Sequence, residues 1–261
     1  STAAGDFSLE NFARMGTYTA VFTRSFKLAI IATLIALLIG YPVSYMLSKE
    51  GPQVQRIAMV LIMLPMWMNF LLRTYSWMSI LENNGLLNQL FQQIGLIDLY
   101  NQIAMHFASD PAAYVPIDHF QMIGTQGAVV LRMVYNYLPF MILPIYSVLV
   151  KLDHSLIEAA RDLGASSVQV FRKVILPLSL PGVLSGITMV FVPSVSTFAI
   201  SRLLGGGTQM MLGDLIEQQF LGGAYNPQLG AAIALVMMAI VVVCMLVMNR
   251  FGDGEEQAVM L

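Results

Sequence analysis

The side chains able to do chemistry in this chain gather in three places. The densest is residues 151–181, KLDHSLIEAARDLGASSVQVFRKVILPLSLP, a polar stretch between two long apolar ones. Its pattern suits docking better than catalysis. Ser155 with Glu158, and Ser166 with Gln169, each read as a capping box that starts a helix. Gly164 falls between them, where a left-handed cap would end the first helix. Pro177 and Pro181 punctuate the entry to the next segment. The expectation is a helix-turn-helix elbow. Small Ala159 and Ala160 allow close approach of a partner, while Glu158, Arg161 and Asp162 offer polar contacts. An ordinary amphipathic loop is the plainer alternative.

The second place lies within the apolar segments. Arg73 opens RTYSW and Arg132 precedes VYNYLPF. An arginine inside a span is a functional candidate by default, although snorkelling or pairing with a backbone carbonyl explains Arg132 equally well. Tyr75, Trp77, Tyr135, Asn136 and Tyr137 carry polar tips that lipid disfavours at depth. They are candidates for a translocation path, or for an interfacial aromatic belt. The third place is SRLLGGG, residues 201–207, followed by Asp214 and Glu217. Those two acids share one face if the segment is helical. Carboxylates and aromatic faces are what a polycation needs.

Other chemistries find no constellation. His106 and His119 lack zinc-ligand spacing, and no metal site is expected. Neither paired intramembrane carboxylates nor a Ser/His pair at depth supports an integral-membrane enzyme. No filter segment or charged ring suggests a channel. There is no GxxxxGK[ST] loop, so the chain is not expected to hydrolyse ATP alone.

The elements that must carry these residues follow from composition. With 57% hydrophobic and 11% charged residues and a mean hydropathy of +0.72, the chain is far greasier than a soluble domain, which carries about 25% charged residues. A net charge of −2 gives no reason to expect nucleic acid. The single cysteine, Cys244, rules out an internal disulfide framework. Five apolar runs, 28–47, 57–81, 127–150, 178–201 and 229–249, are long enough to cross a bilayer. Backbone in lipid must satisfy its own hydrogen bonds, so each should be a helix. The fold class is an all-α integral membrane protein with five transmembrane helices.

Lysine and arginine set the orientation. Lys49, Arg56, Lys151, Arg161, Arg172, Lys173 and Arg250 fall on one side, which is then cytoplasmic. Residues 82–126 contain no lysine or arginine and form an outer loop. Within that loop, 84–97 has helical periodicity suited to the membrane surface, and 98–120 reads as irregular, a natural docking surface for a binding protein. Residues 1–27 form an extracytoplasmic N-terminal segment and 28–249 the transmembrane domain. The elbow at 151–177 and a tail at 250–261 are cytoplasmic.

Glu158-Ala159-Ala160, three residues, Gly164, nine residues, then Val174-Ile175-Leu176-Pro177 resembles the EAA loop of ABC-importer permeases. That pattern is EAA, x3, G, x9, I, x, L, P, with Val174 here in place of isoleucine. The resemblance implies a type I importer permease fold in the bacterial inner membrane, with six spans and therefore a helix upstream of Ser1. Phe7–Phe12 (FSLENF) resembles the stretch that follows that helix in relatives. It also implies that Ser155, Glu158, Ala159, Ala160, Arg161, Asp162 and Gly164 couple to a cytoplasmic ATPase dimer. ATP and Mg would bind there and no cofactor to this chain. A homologous second permease and an extracytoplasmic binding protein complete the implied assembly, which works by alternating access. Further likeness in 39–42 (IGYP), 85–90, 135–153 and 158–166 is to the spermidine/putrescine branch. This implies polyamine cargo and a polyamine-binding protein, with Arg202 standing where those relatives often carry aspartate. Permeases for sulfate, molybdate, thiamine and phosphonates share the elbow, so another small solute is the alternative.

Overall fold

The computed structural model describes residues 15–107, 115–205, 207, 209–222 and 225–259, so the 7–12 segment lies outside the described residues. Every regular element among them is helical. After a short turn at Met15–Tyr18, helix α1 runs Thr19–Ser48. It begins well before the apolar run expected at 28. Polar Thr23 satisfies its hydroxyl on the Thr19 carbonyl, and Ser25 is buried, so neither stops the helix.

The second expected span is not one helix. Pro52–Trp67 (α2) and Phe70–Leu81 (α3) meet at a break, and the segments on either side of it are bent by 92°. Three residues make the bend. Pro65 cannot continue the helical hydrogen bonding. Asn69 accepts the N–H groups of Leu71 and Leu72 as the N-cap of α3. Arg73 then reaches back to donate to the Pro65 carbonyl at 2.7 Å. α1, α6 (Gln126–Leu149), α8 (Ser167–Ser196) and α11 (Pro227–Val259) are each long and apolar enough to cross a membrane, and the bent pair, taken as one broken span, makes a fifth.

The 82–126 segment is more regular than its sequence suggests. The surface helix expected over 84–97 ends at Gln93 (α4, Leu86–Gln93), and a second helix, α5, occupies Leu96–Phe107 where an irregular stretch was expected. Gly95, at φ 72°, makes the corner that a side chain would strain. Two asparagines tie the return strap down. Asn88 exchanges hydrogen bonds with both backbone groups of Phe120, and Asn101 does the same with Ile117.

The fourth span also differs from expectation. α8 starts at the elbow, contains a π-helical turn at Phe171–Ile175, and ends at Ser196. Thr197 is extended. Ala199–Leu204 forms a separate helix, α9, and Leu212–Leu221 forms α10.

The core is a three-helix contact of α1, α6 and α8 made close by glycine. A Cβ at Gly40 would lie 2.9 Å from Met141 Cγ, one at Gly182 2.8 Å from the Pro144 carbonyl, and one at Gly186 2.8 Å from Met141 Sδ. Small residues let membrane helices approach and gain dispersion energy where no hydrophobic drive exists. Tyr41 and Ser179 share a hydrogen bond of 2.8 Å, and Ser44 donates to the Ile142 carbonyl at 3.1 Å. Gly182→Val, which meets rigid backbone rather than a flexible side chain, should destabilise the protein by about 1–3 kcal/mol. A thermal melt in detergent checks this, with Gly51→Ala, which meets nothing, as the control.

Candidate translocation and coupling sites

Helix α7, His154–Asp162, forms the elbow. Its N-cap is Asp153, whose carboxylate accepts the Ser155 N–H at 2.9 Å. The capping box expected from Ser155 and Glu158 is not formed, because Asp153 already holds the cap position. Asp153→Ala should therefore cost about 1 kcal/mol of elbow stability and Ser155→Ala almost nothing, measured by hydrogen exchange of the α7 amides. At the other end Gly164 has φ 81°. Its N–H donates to Arg161 O and the Ala165 N–H to Ala160 O, the paired bonds of a Schellman cap. Ser166 and Gln169 make a complete capping box one residue later. Two caps back to back leave the corner little freedom.

The elbow has an inner and an outer side. Ile157 and Ala160 pack on the core. Ser155, Leu156, Glu158, Ala159, Arg161, Asp162 and Gly164 are exposed, and Leu163 is 89% exposed. Apolar and charged groups thus alternate on one open face at the end of a span.

The second site lies where α3 meets α6. Arg132 does not snorkel: it is 0% exposed. Its guanidinium donates to Thr74 Oγ1 at 3.1 Å and Asn136 Oδ1 at 3.3 Å, and its carbon lies 5.5 Å from the ring centres of both Phe70 and Tyr135. Trp77 stands edge-on to Tyr135 at 5.1 Å. Arg73, Trp77, Tyr135 and Asn136 are therefore brought to one region. Tyr75 is exposed and makes none of these contacts. Neither arginine has a carboxylate partner among the described residues, and the Nε of each is buried without a hydrogen bond. Thr74 and Phe70 went unnoticed in the sequence. Thr74 adjoins Arg73, but its partner is 58 positions away.

The third site joins α9 to α10. Asp214 and Glu217 both lie on α10. Asp214 is buried and accepts hydrogen bonds from Ser201 Oγ and from the Met211 N–H. Burial raises its carboxyl above the usual carboxylate range, and those two bonds pull the other way. Glu217 is held by Arg202, whose Nη1 reaches its two oxygens at 2.9 and 3.0 Å. With Gln209 these groups line a cavity of about 220 Å³. Ser201 opens the SRLLGGG stretch but had no assigned role, and Gln209 carried no sequence signal.

Residues 32–254 match the family described as "Binding-protein-dependent transport system inner membrane component". The chain is 35% identical over 246 residues to the spermidine/putrescine transport system permease protein PotB of Escherichia coli (strain K12), covering 94% of this chain and 82% of that protein. Its identity to the Haemophilus influenzae protein of the same name is 36% over 240 residues, covering 90% and 77%. Among solved structures, a bacterial ABC transporter involved in the import of the acidic polysaccharide alginate shares the fold, with a TM-score of 0.70 at 16% identity over 96% of this chain and 85% of that one. The inward-facing MetNI methionine ABC transporter gives 0.51 at 21% identity, covering 95% and 98%. With this match along most of its length, the chain belongs to the inner-membrane components of binding-protein-dependent transport systems.

Proposed function

We propose that the chain is the permease subunit of an ATP-driven importer for polyamines such as spermidine and putrescine. The observation that carries the importer is the elbow: a short helix capped at both ends, with an open face and a rigid joint to a span. Ser155, Glu158, Ala159, Ala160, Arg161, Asp162 and Gly164 form the surface for a cytoplasmic ATPase dimer. ATP and Mg bind on that dimer, and this chain binds no cofactor. A homologous permease and an extracytoplasmic polyamine-binding protein complete the assembly. The polyamine cargo is supported by the likeness to PotB along most of both chains.

The mechanism follows from how the elbow is joined to the core. Only the capped turn at residues 163–166 separates α7 from α8, and Phe171, in the π-helical turn of α8, stacks edge-on against Tyr41 and Tyr45 of α1 at 5.8 and 5.6 Å. Movement of α7 by closing ATPases is thus delivered to α1 and α8 together, and through the glycine contacts to α6. Rocking of these helices exposes Arg73, Trp77, Tyr135 and Asn136 to alternate sides, with Asp214 and Glu217 at the outer end. Tyr75 is a path residue only in the assembled transporter, facing the second permease.

A second reading, import of a small anion, is favoured by Arg73 and Arg132, two cations without a carboxylate among the described residues. ATP hydrolysis by the assembled importer in lipid, with its binding protein, separates the readings. Stimulation by spermidine or putrescine and not by sulfate or thiamine supports the polyamine cargo. Stimulation by sulfate alone overturns it, and failure to associate with any ATPase overturns the importer.

A further inference from the structure

The junction of α9 and α10 is built as a site for a donor-rich cation that at present holds an internal substitute. Consecutive residues Ser201 and Arg202 reach Asp214 and Glu217, which are one turn apart. The inner contact is permanent in character: Ser201 Oγ and the Met211 N–H both serve Asp214 Oδ2, and all three residues are buried. The other oxygen, Asp214 Oδ1, is buried with no hydrogen-bond partner, and so is Gln209 Oε1. Asp214 itself is only 5% exposed. Leaving a buried acceptor unmade is costly, and here two such acceptors belong to residues that line the same cavity.

The outer contact differs. The Arg202 side chain is mostly exposed while Glu217 is largely covered. An exposed ion pair of this kind contributes little net free energy, because its long side chain loses entropy and water screens it. It is a contact that a competing cation can open.

We propose that this cavity binds a primary alkylammonium group, with Arg202 as the resident counter-ion that the ligand displaces from Glu217. An ammonium has three N–H donors and no acceptor. That complements the acceptor oxygens of Glu217, Asp214 Oδ1 and Gln209 Oε1. An anion would meet two carboxylates against one guanidinium. With Arg202 swung into solvent, the site carries both carboxylate charges for one alkylammonium end. The proposal deepens the polyamine reading and rests on it for the identity of the ligand.

The test is equilibrium binding of radiolabelled putrescine to the assembled importer in nanodiscs, without binding protein and without ATP, with propylammonium, 1-butanol and calcium as competitors. Propylammonium should compete and 1-butanol should not. Arg202→Gln should tighten putrescine about threefold, the size expected for removing an exposed ion pair, and Glu217→Gln should weaken it at least tenfold. Unchanged or weaker binding in Arg202→Gln overturns the proposal, as does calcium competing better than propylammonium. If Glu217→Gln fails to assemble, Arg202→Gln decides alone, since misfolding does not produce a gain. Import of some other solute would change which compound stimulates ATP hydrolysis and leave this binding gain readable, so the two claims fail separately.

Discussion

Gly164→Val is expected to lower cargo-stimulated ATP hydrolysis of the assembled importer about tenfold, while Gly164→Asn keeps most of it. The contrast comes from backbone geometry alone. A Cβ at this position meets nothing within 4 Å, so no neighbour is crowded. The φ of 81° is the whole difficulty. A left-handed conformation costs a substituted residue about 1–2 kcal/mol, and 1.4 kcal/mol is a tenfold change in population. Valine, branched at Cβ, bears this cost in full, whereas asparagine tolerates the left-handed region. Relaxing the strain means opening the two bonds of the Schellman cap, which frees α7 to swing relative to α8. Hydrolysis measured against permease content in the membrane reads the coupling rather than the expression. Equal loss in both variants would show that the position acts through side-chain contact, not through the turn.

Arg132→Met is expected to hold or raise the melting temperature while reducing transport at least tenfold. The usual penalty for deleting one member of a buried pair is the orphaned charge left behind. Among the described residues Arg132 has no opposite charge to orphan. Thr74 remains satisfied because its hydroxyl donates to the Phe70 carbonyl at 2.8 Å, which leaves only the Asn136 amide short of a partner. Methionine fills much of the same volume and packs well against Phe70 and Tyr135. A buried cation retained without a counter-ion is therefore poorly explained by stability. Parallel melts and uptake assays in vesicles check this. A drop in melting temperature that accounts for the lost uptake would make Arg132 a structural residue.

Apolar length and charge asymmetry made the spans readable, because crossing a bilayer imposes both on the sequence. What escaped was decided by single residues competing for one role. Asp153 and Ser155 are both good N-caps, and the earlier one took the helix. Asn69 is a strong cap signal before FLLRTYSW, yet it lies inside the 57–81 run, which is long enough to read as one span despite the interruptions at Pro65 and Arg73. α5 repeats apolar residues at Leu96, Leu99, Tyr100, Ile103 and Phe107, a helical spacing masked by the Asp, Asn and His between them. At the sites, local signals such as Gly164 were legible. Partnerships across the chain were not: Arg132 with Thr74, or Arg202 with Glu217, depends on packing that no short window contains.

The π-helical turn at Phe171–Ile175 gives the family spacing a mechanical meaning. Val170 and Ile175, five residues apart, are both buried, which an unbroken α-helix would place on different faces. One extra residue is therefore stored in the shaft between the elbow and the span. Loss of a single codon inside the turn would leave ordinary α-helix with those two faces still aligned, whereas gain or loss of one in the α-helical part of the shaft would rotate the elbow by about 100° about it. Hydropathy, length and composition would scarcely change, yet the gear teeth on α7 would face the wrong way.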